Sequence, residues 1–265
     1  TWSLSQKRWK KRLALALGCR QMLDNAAFIH ALNRDEVDLM QPVGLRAPAE
    51  IIPNGVFVEE FEQLPSPEPF LDLISRPNGR RYVLFLSRLH YKKGLDLLAH
   101  AFRQVAQECP DVDLVVAGPD GGAEDDFRTL VRRFGLERRV LMVGPLYGET
   151  KLQALVAAAC FCLPSRQEGF SIAITEALAC GTPVVITHAC HFPEVAIAGA
   201  GVVTTLEPAE IAHGMIEILE NSGAAERMGR RGRHLVFENY TWPRIARLTT
   251  GLYEAYAPPH PHAAA

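Results

Sequence analysis

Residues 112–117 read Val112-Asp113-Leu114-Val115-Val116-Ala117, and Gly118-Pro119-Asp120-Gly121 follows at once. After its single acid the run is apolar at consecutive positions, the pattern of a strand covered on both faces in a parallel sheet. Similar runs on either side predict strands over Tyr82–Leu86, Val140–Val143, Cys160–Leu163, Pro183–Ile186 and Gly201–Thr204. Between them the spacing predicts helices over 94–108, 124–134, 149–158, 170–180 and 191–198. Leu95, Leu98, Phe102, Val105 and Ala106 make one apolar helix face. Strands alternating with helices in this way imply an α/β chain built on a Rossmann-like, doubly wound parallel sheet. Three more helices, at 208–220, 223–238 and 242–256, close the chain.

The composition agrees with a globular protein. Of 265 residues, 48% are hydrophobic and 22% charged, which excludes a disordered or collagen-like chain. A net charge of −2 argues against a nucleic-acid partner. No apolar run approaches the ~18 residues of a membrane helix. The chain opens at Thr1 with no secretory pattern, so the expectation is a cytoplasmic protein trimmed from a longer one. None of the six cysteines falls in a C-x2-C pair. Cys160 and Cys162 fall on one face of a predicted strand and read as small buried hydrophobes.

The first 60 or so residues belong to something else. Six positive charges, Lys7, Arg8, Lys10, Lys11, Arg12 and Arg20, precede the first acid, Asp24, and Trp2, Leu4, Trp9, Leu13 and Leu17 lie among them. Such a helix either packs on a partner domain with a solvated basic face or lies on an anionic membrane surface. One strand is expected here, Ile51-Ile52 running into the turn Pro53-Asn54-Gly55. Pro65, Pro67, Pro69, Pro77 and Asn78-Gly79 read as a linker. The expected division is 1–62, linker 63–80, a Rossmann-like domain 81–240, and a closing helix with a frayed tail 241–265.

Two stretches could carry chemistry. In Pro164-Ser165-Arg166-Gln167-Glu168-Gly169-Phe170-Ser171-Ile172, a strand gives way to a polar loop and then a helix whose first amides form an anion site. Glu168 stands just before that helix, and Glu176 about two turns in among Ala173, Ile174, Ala177 and Leu178. Two carboxylates beside an anion site suit the hydroxyls of a phosphorylated sugar ligand; the plainer reading is a dipole-complementing Glu168 and a solvated Glu176. The second stretch, Ser87-Arg88-Leu89-His90-Tyr91-Lys92-Lys93-Gly94, follows the first strand of the domain, where α/β sheets bind ligands. Arg88 and Lys93 could both reach one diphosphate, each at about 4 kcal/mol before desolvation, against the alternative of a solvated helix start. His90, His188 and Glu194 are weaker candidates, with structural roles favoured.

Arg88 with Lys93-Gly94, Gly118-Pro119-Asp120-Gly121, Val143-Gly144, and Glu168-Gly169-Phe170 followed by Glu176 together resemble the retaining family 4 glycosyltransferases (glycosyl transferases group 1) of GT-B fold. Ile52-Pro53-Asn54-Gly55-Val56 and Tyr240-Thr241-Trp242 extend the resemblance. It implies transfer of a sugar from a nucleotide diphosphate sugar to a carbohydrate or lipid-linked acceptor, with retention of configuration and without a bound metal or other cofactor. By the same resemblance Arg88 and Lys93 hold the diphosphate and Glu168 the transferred sugar. Gly169, Phe170, Ser171 and Ile172 receive the sugar and distal phosphate. Glu176 takes the ribose, Met142 and Val143 line the base, and Gly118 belongs to the donor site. Residues 1–62 match only the tail of the family's N-terminal acceptor domain, which implies a donor-binding half. The competing expectations are a truncated fragment that binds donor without turnover and a sugar-nucleotide epimerase, the latter disfavoured by the paired glutamates.

Overall fold

β-branched and aromatic residues dominate the short apolar runs, and each predicted run forms a strand in a computed structural model that describes residues 18–75 and 80–257. The basic residues before Gly18, Pro77-Asn78-Gly79 of the expected linker and the residues from Pro258 lie outside the described residues. The chain divides into two compact units, one of residues up to Asn54 with those from Pro243, the other Gly55–Trp242.

The first unit holds helix α1 (Arg20–Asp24), strand β1 (Ile29–Ala31), helix α2 (Arg34–Met40) and strand β2 (Ala49–Ile51). β1 and β2 pair in parallel, Ile29 opposite Ala49 and Ala31 opposite Ile51. Two strands therefore stand where one was expected. The three residues Ile29-His30-Ala31 are too few to show a strand period, and β1 is defined by its pairing. Asn33 caps α2 by accepting from the Glu36 amide at 2.9 Å, while the Glu36 carboxylate accepts from the Leu32 amide at 2.7 Å. The closing helix, Trp242–Tyr256, contributes Tyr256, whose ring lies 5.0 Å from that of Phe28 and whose hydroxyl donates to Glu50 at 2.6 Å.

The second unit opens with two short helices, α3 (Glu59–Glu62) and α4 (Glu68–Leu73), in the stretch read as remnant and linker. Phe61 and Phe70 are buried there, and the Phe70 ring lies 6.1 Å from that of Tyr82 in the sheet. Arg233 donates to the Phe61 carbonyl at 2.6 Å, tying this segment to a later helix. Prolines suggested a linker, but Pro67 and Pro69 sit at the start of α4, where a missing amide costs nothing.

Six parallel strands follow: β3 (Arg81–Leu86), β4 (Val112–Ala117), β5 (Val140–Gly144), β6 (Cys160–Leu163), β7 (Val184–Thr187) and β8 (Gly201–Thr204). Their order across the sheet is β5-β4-β3-β6-β7-β8. The helices between and after them are α5 (Leu95–Glu108), α6 (Glu124–Arg133), α7 (Gly148–Ala157), α8 (Ile172–Ala179), α9 (Glu194–Ile197), α10 (Pro208–Glu220) and α11 (Ser222–Asn239). This order is that of a Rossmann sheet, as expected, and it reverses between β3 and β6. Every residue of β4 and β6 is buried, as the unbroken apolar runs predicted. Leu95, Leu98, Phe102 and Val105 of α5 turn into the core. Cys160 and Cys162 are wholly buried, and burial pushes their thiols far above the usual range. No described helix is long and apolar enough to cross a membrane.

Asp113, the one acid of β4, is buried at the end of the sheet away from the strand carboxyl ends. Arg80 grips it with Nε and Nη2 at 3.0 and 2.9 Å, and Arg139 Nε reaches it at 2.9 Å. Arg139 also donates to the carbonyls of Ala106, Cys109 and Val112. The acid thus fastens the entries of three neighbouring strands.

Candidate active site

At the point where the strand order reverses, the loops after β3 and β6 diverge, and ligands of such sheets bind in the crevice between them. A cleft of about 340 Å³ opens there, within the second unit. Its walls come from three loops and one helix start: Leu86–Arg88 and Lys93 at and after the end of β3, Gly118-Pro119 after β4, Pro145–Tyr147 after β5, and Phe170–Ala173 with Glu176 around the start of α8.

Glycines let these loops approach one another. Gly94 has φ +71° and lies so close to the loop after β6 that a Cβ there would come within 2.0 Å of the Pro164 carbonyl oxygen. Gly118, φ +143°, makes the same approach to the Ser87 carbonyl oxygen, at 1.9 Å. Only glycine meets both the dihedral and the steric requirement. Asp120 then turns the chain into α6 by accepting from the amides of Gly122, Ala123 and Glu124. Its carboxyl is held below the usual range by those bonds, that of Gly122 foremost.

Two lysine–glutamate pairs frame the cleft. Lys93 Nζ lies 2.6 and 2.8 Å from the two oxygens of Glu168, and Ser165 Oγ donates to the same carboxylate at 2.5 Å. The Glu168 side chain is 8% exposed, and these two partners satisfy oxygens that water reaches little. Lys151, from the first turn of α7, reaches Glu176 Oε1 at 2.6 Å. Helices α7 and α8 both begin at the carboxyl end of the sheet, which brings the two side chains together. Ser171 starts α8 in extended conformation and makes no side-chain cap to its first turn. A helix start with no side-chain cap is an anion-binding element.

Of the residues expected at the site, Arg88, Lys93, Gly118, Phe170, Ser171, Ile172 and Glu176 line the cleft. Glu168 stands behind Lys93, and Gly169 joins it to Phe170. Met142 and Val143 lie inside β5, and Met142 lines a separate hollow with Arg128, Val131 and Arg132. The cleft is closed on that side by Pro145, Leu146 and Tyr147 instead. His90 has a structural task, accepting from the Lys92 amide at 3.1 Å through Nδ1. His188 faces the Thr204 carbonyl at 3.2 Å, and Glu194 stands in the first turn of α9.

Sequence reasoning missed Lys151, Ser165 and Tyr147. Nothing local in the sequence sets Lys151 apart from a solvated helix lysine, and only packing reveals its partner. The carboxyl-end rule for strands, applied to β5, would have found Tyr147.

Residues 73–235 match the family model of the glycosyl transferases group 1. The phosphatidyl-myo-inositol mannosyltransferase of Mycobacterium tuberculosis H37Rv is 32% identical over 225 residues, which is 82% of this chain and 57% of that protein. The gpi3 component of the phosphatidylinositol N-acetylglucosaminyltransferase of Schizosaccharomyces pombe is 26% identical over 205 residues, covering 77% of this chain and 43% of the relative. Among solved structures, Anabaena HepE in complex with UDP and glucose superposes with a TM-score of 0.78 at 23% identity, over 92% of this chain and 66% of that one. The chain spans about half the length of the curated relatives it matches. The family match covers β3–β8 and every loop that walls the cleft, and on that ground the chain belongs to the glycosyl transferases group 1 family.

Proposed function

We propose that this chain binds a nucleotide diphosphate sugar in the cleft and supplies the donor half of a glycosyltransferase that retains anomeric configuration. The observation that carries the reading is the convergence of Arg88, Lys93 and the start of α8 at the crevice where the strand order reverses. Negative charge grows on the diphosphate as the glycosidic bond breaks, and fixed cations and amides at that place stabilise the leaving group. In this reading the two cations and the helix start do the work that a metal does elsewhere, and no cofactor is required.

The ribose lies against Glu176, whose carboxylate accepts from its hydroxyls while Lys151 holds it aimed. The base lies beyond β5, beside Leu146 and Tyr147. Glu168, Gly169 and Phe170 face the transferred sugar. Retention is supported by the Glu168-to-Glu176 pattern and its flanks. The acceptor is a carbohydrate or a lipid-linked group, and the names of two curated relatives, which specify phosphatidylinositol, support the lipid-linked kind.

Glu176 offers the direct test. Its replacement by alanine is expected to weaken binding of the preferred nucleotide by about 1–3 kcal/mol, the worth of hydrogen bonds to a charged group. The 2′,3′-dideoxy form of that nucleotide should bind wild type and variant almost alike. Calorimetry in which the ribose and dideoxyribose forms lose affinity equally would remove Glu176 from the ribose.

A further inference from the structure

Arg166 takes no part in the cleft wall, yet its side chain makes as many hydrogen bonds as that of Glu168. Its two terminal nitrogens meet the two oxygens of Asp96 at 2.7 and 2.6 Å, a fork-on-fork pair. Its guanidinium carbon lies 4.3 Å from the centre of the Tyr91 ring, and Nη1 also donates to the Tyr91 carbonyl at 3.1 Å. Its own amide donates to the Lys92 carbonyl at 2.7 Å. Burial raises the Asp96 carboxyl, but the bonds and charge of Arg166 outweigh it and hold that carboxyl below the usual range. All these partners flank Lys93 in sequence: Tyr91 and Lys92 precede it and Asp96 follows.

Two residues beyond Arg166 stands Glu168, which holds the Lys93 ammonium. The loop after β3 and the loop after β6 are thus stitched at three levels: Gly94 against Pro164, Arg166 around Tyr91 and Asp96, and Lys93 on Glu168. Neither Arg166 nor its partners Tyr91 and Asp96 line the cleft. Lysine could not replace the arginine, because a point charge neither makes the fork nor stacks on the ring.

We propose that Arg166 is a positioning residue: by clamping Tyr91 and Asp96 it fixes where Lys93 stands relative to Glu168, and so sets how strongly the cleft grips a distal phosphate. The proposal rests on the donor reading above. It makes a claim that a merely structural role does not, namely that the loss falls on the diphosphate and not on the nucleoside.

The test is calorimetric titration of the full chain with paired mono- and diphosphates of uridine, guanosine and adenosine. The readout is the ratio of monophosphate to diphosphate dissociation constants for the preferred base. Arg166→Ala and Arg166→Lys are expected to lower that ratio about tenfold, the worth of one weakened hydrogen bond to a charged group, with monophosphate affinity little changed. Asp96→Asn, which spares Arg166, should lower it in the same direction, and the double variant should be no worse than Arg166→Ala alone. Thermal melting of each variant establishes that it is folded. A ratio left at the wild-type value in folded Arg166→Ala and Asp96→Asn overturns the clamp while the donor reading stands. A wild-type chain with no preference for any diphosphate overturns the donor reading and the clamp with it.

Discussion

Replacing Lys93 by alanine is expected to lower affinity for the preferred nucleoside diphosphate about 100-fold, near the low end of what truncating one partner of a buried charge pair costs. Two effects act in the same direction. The cation that would meet the phosphates is gone, and Glu168, 8% exposed, loses the ammonium 2.6 Å away. Its carboxylate then keeps only the Ser165 hydroxyl and presents an uncompensated negative charge close to an anionic ligand. A second substitution, Glu168→Gln, removes that repulsion and should recover part of the loss. A nucleoside without phosphates should bind the wild type and the single variant alike. If the nucleoside and the diphosphate lose affinity equally, Lys93 serves the fold of its loop and not the phosphates.

The largest stability effect is expected at the other end of the sheet. Asp113→Ala leaves Arg80 and Arg139 without the carboxylate they share, and the Asp113 side chain is 2% exposed. Removing one partner of a buried ion pair costs about 3–5 kcal/mol. The two arginine side chains are 33% and 21% exposed, and water can solvate them in part, so about 3 kcal/mol is the better figure. For a unit of this size that is a fall of roughly 6–12 °C in the melting temperature. Asp113→Asn keeps hydrogen bonding and should fall between the two. Nucleotide affinity should not change in either variant, because the cleft lies beyond the opposite ends of the strands. A melting temperature within about 2 °C of wild type for Asp113→Ala would show that the network contributes less than ~1 kcal/mol.

Much of this architecture was legible in the residues themselves. Val112–Ala117 and Cys160–Leu163 form strands with the expected bounds, because unbroken apolar runs of that length have few alternatives. The glutamates and cations of the two loops drew notice through their place at strand ends, and the cleft gathers most of them. What failed to show was whatever depends on a partner distant in sequence. Phe70 lies in a proline-rich stretch whose composition says linker, while its burial is decided by Tyr82 and its neighbours. Lys151 meets Glu176 across 25 residues and Arg166 meets Asp96 across 70, and no local period encodes either pair. The wall beyond β5 was misjudged for another reason. Met142 and Val143 are in the strand itself, whereas loop residues past its end reach the crevice.

The central claim is that the cleft at the strand reversal takes a nucleoside diphosphate, and it is tested most directly by melting this chain with UDP, GDP and ADP in turn. A ligand present at ~100 times its dissociation constant adds about 2.7 kcal/mol, or roughly 5–10 °C for a unit of this size. The account predicts such a rise with one base, a smaller one with its monophosphate, and only about 1 °C for that base in Lys93→Ala at the same concentration. A folded chain whose melting temperature moves with none of the three nucleotides would contradict it.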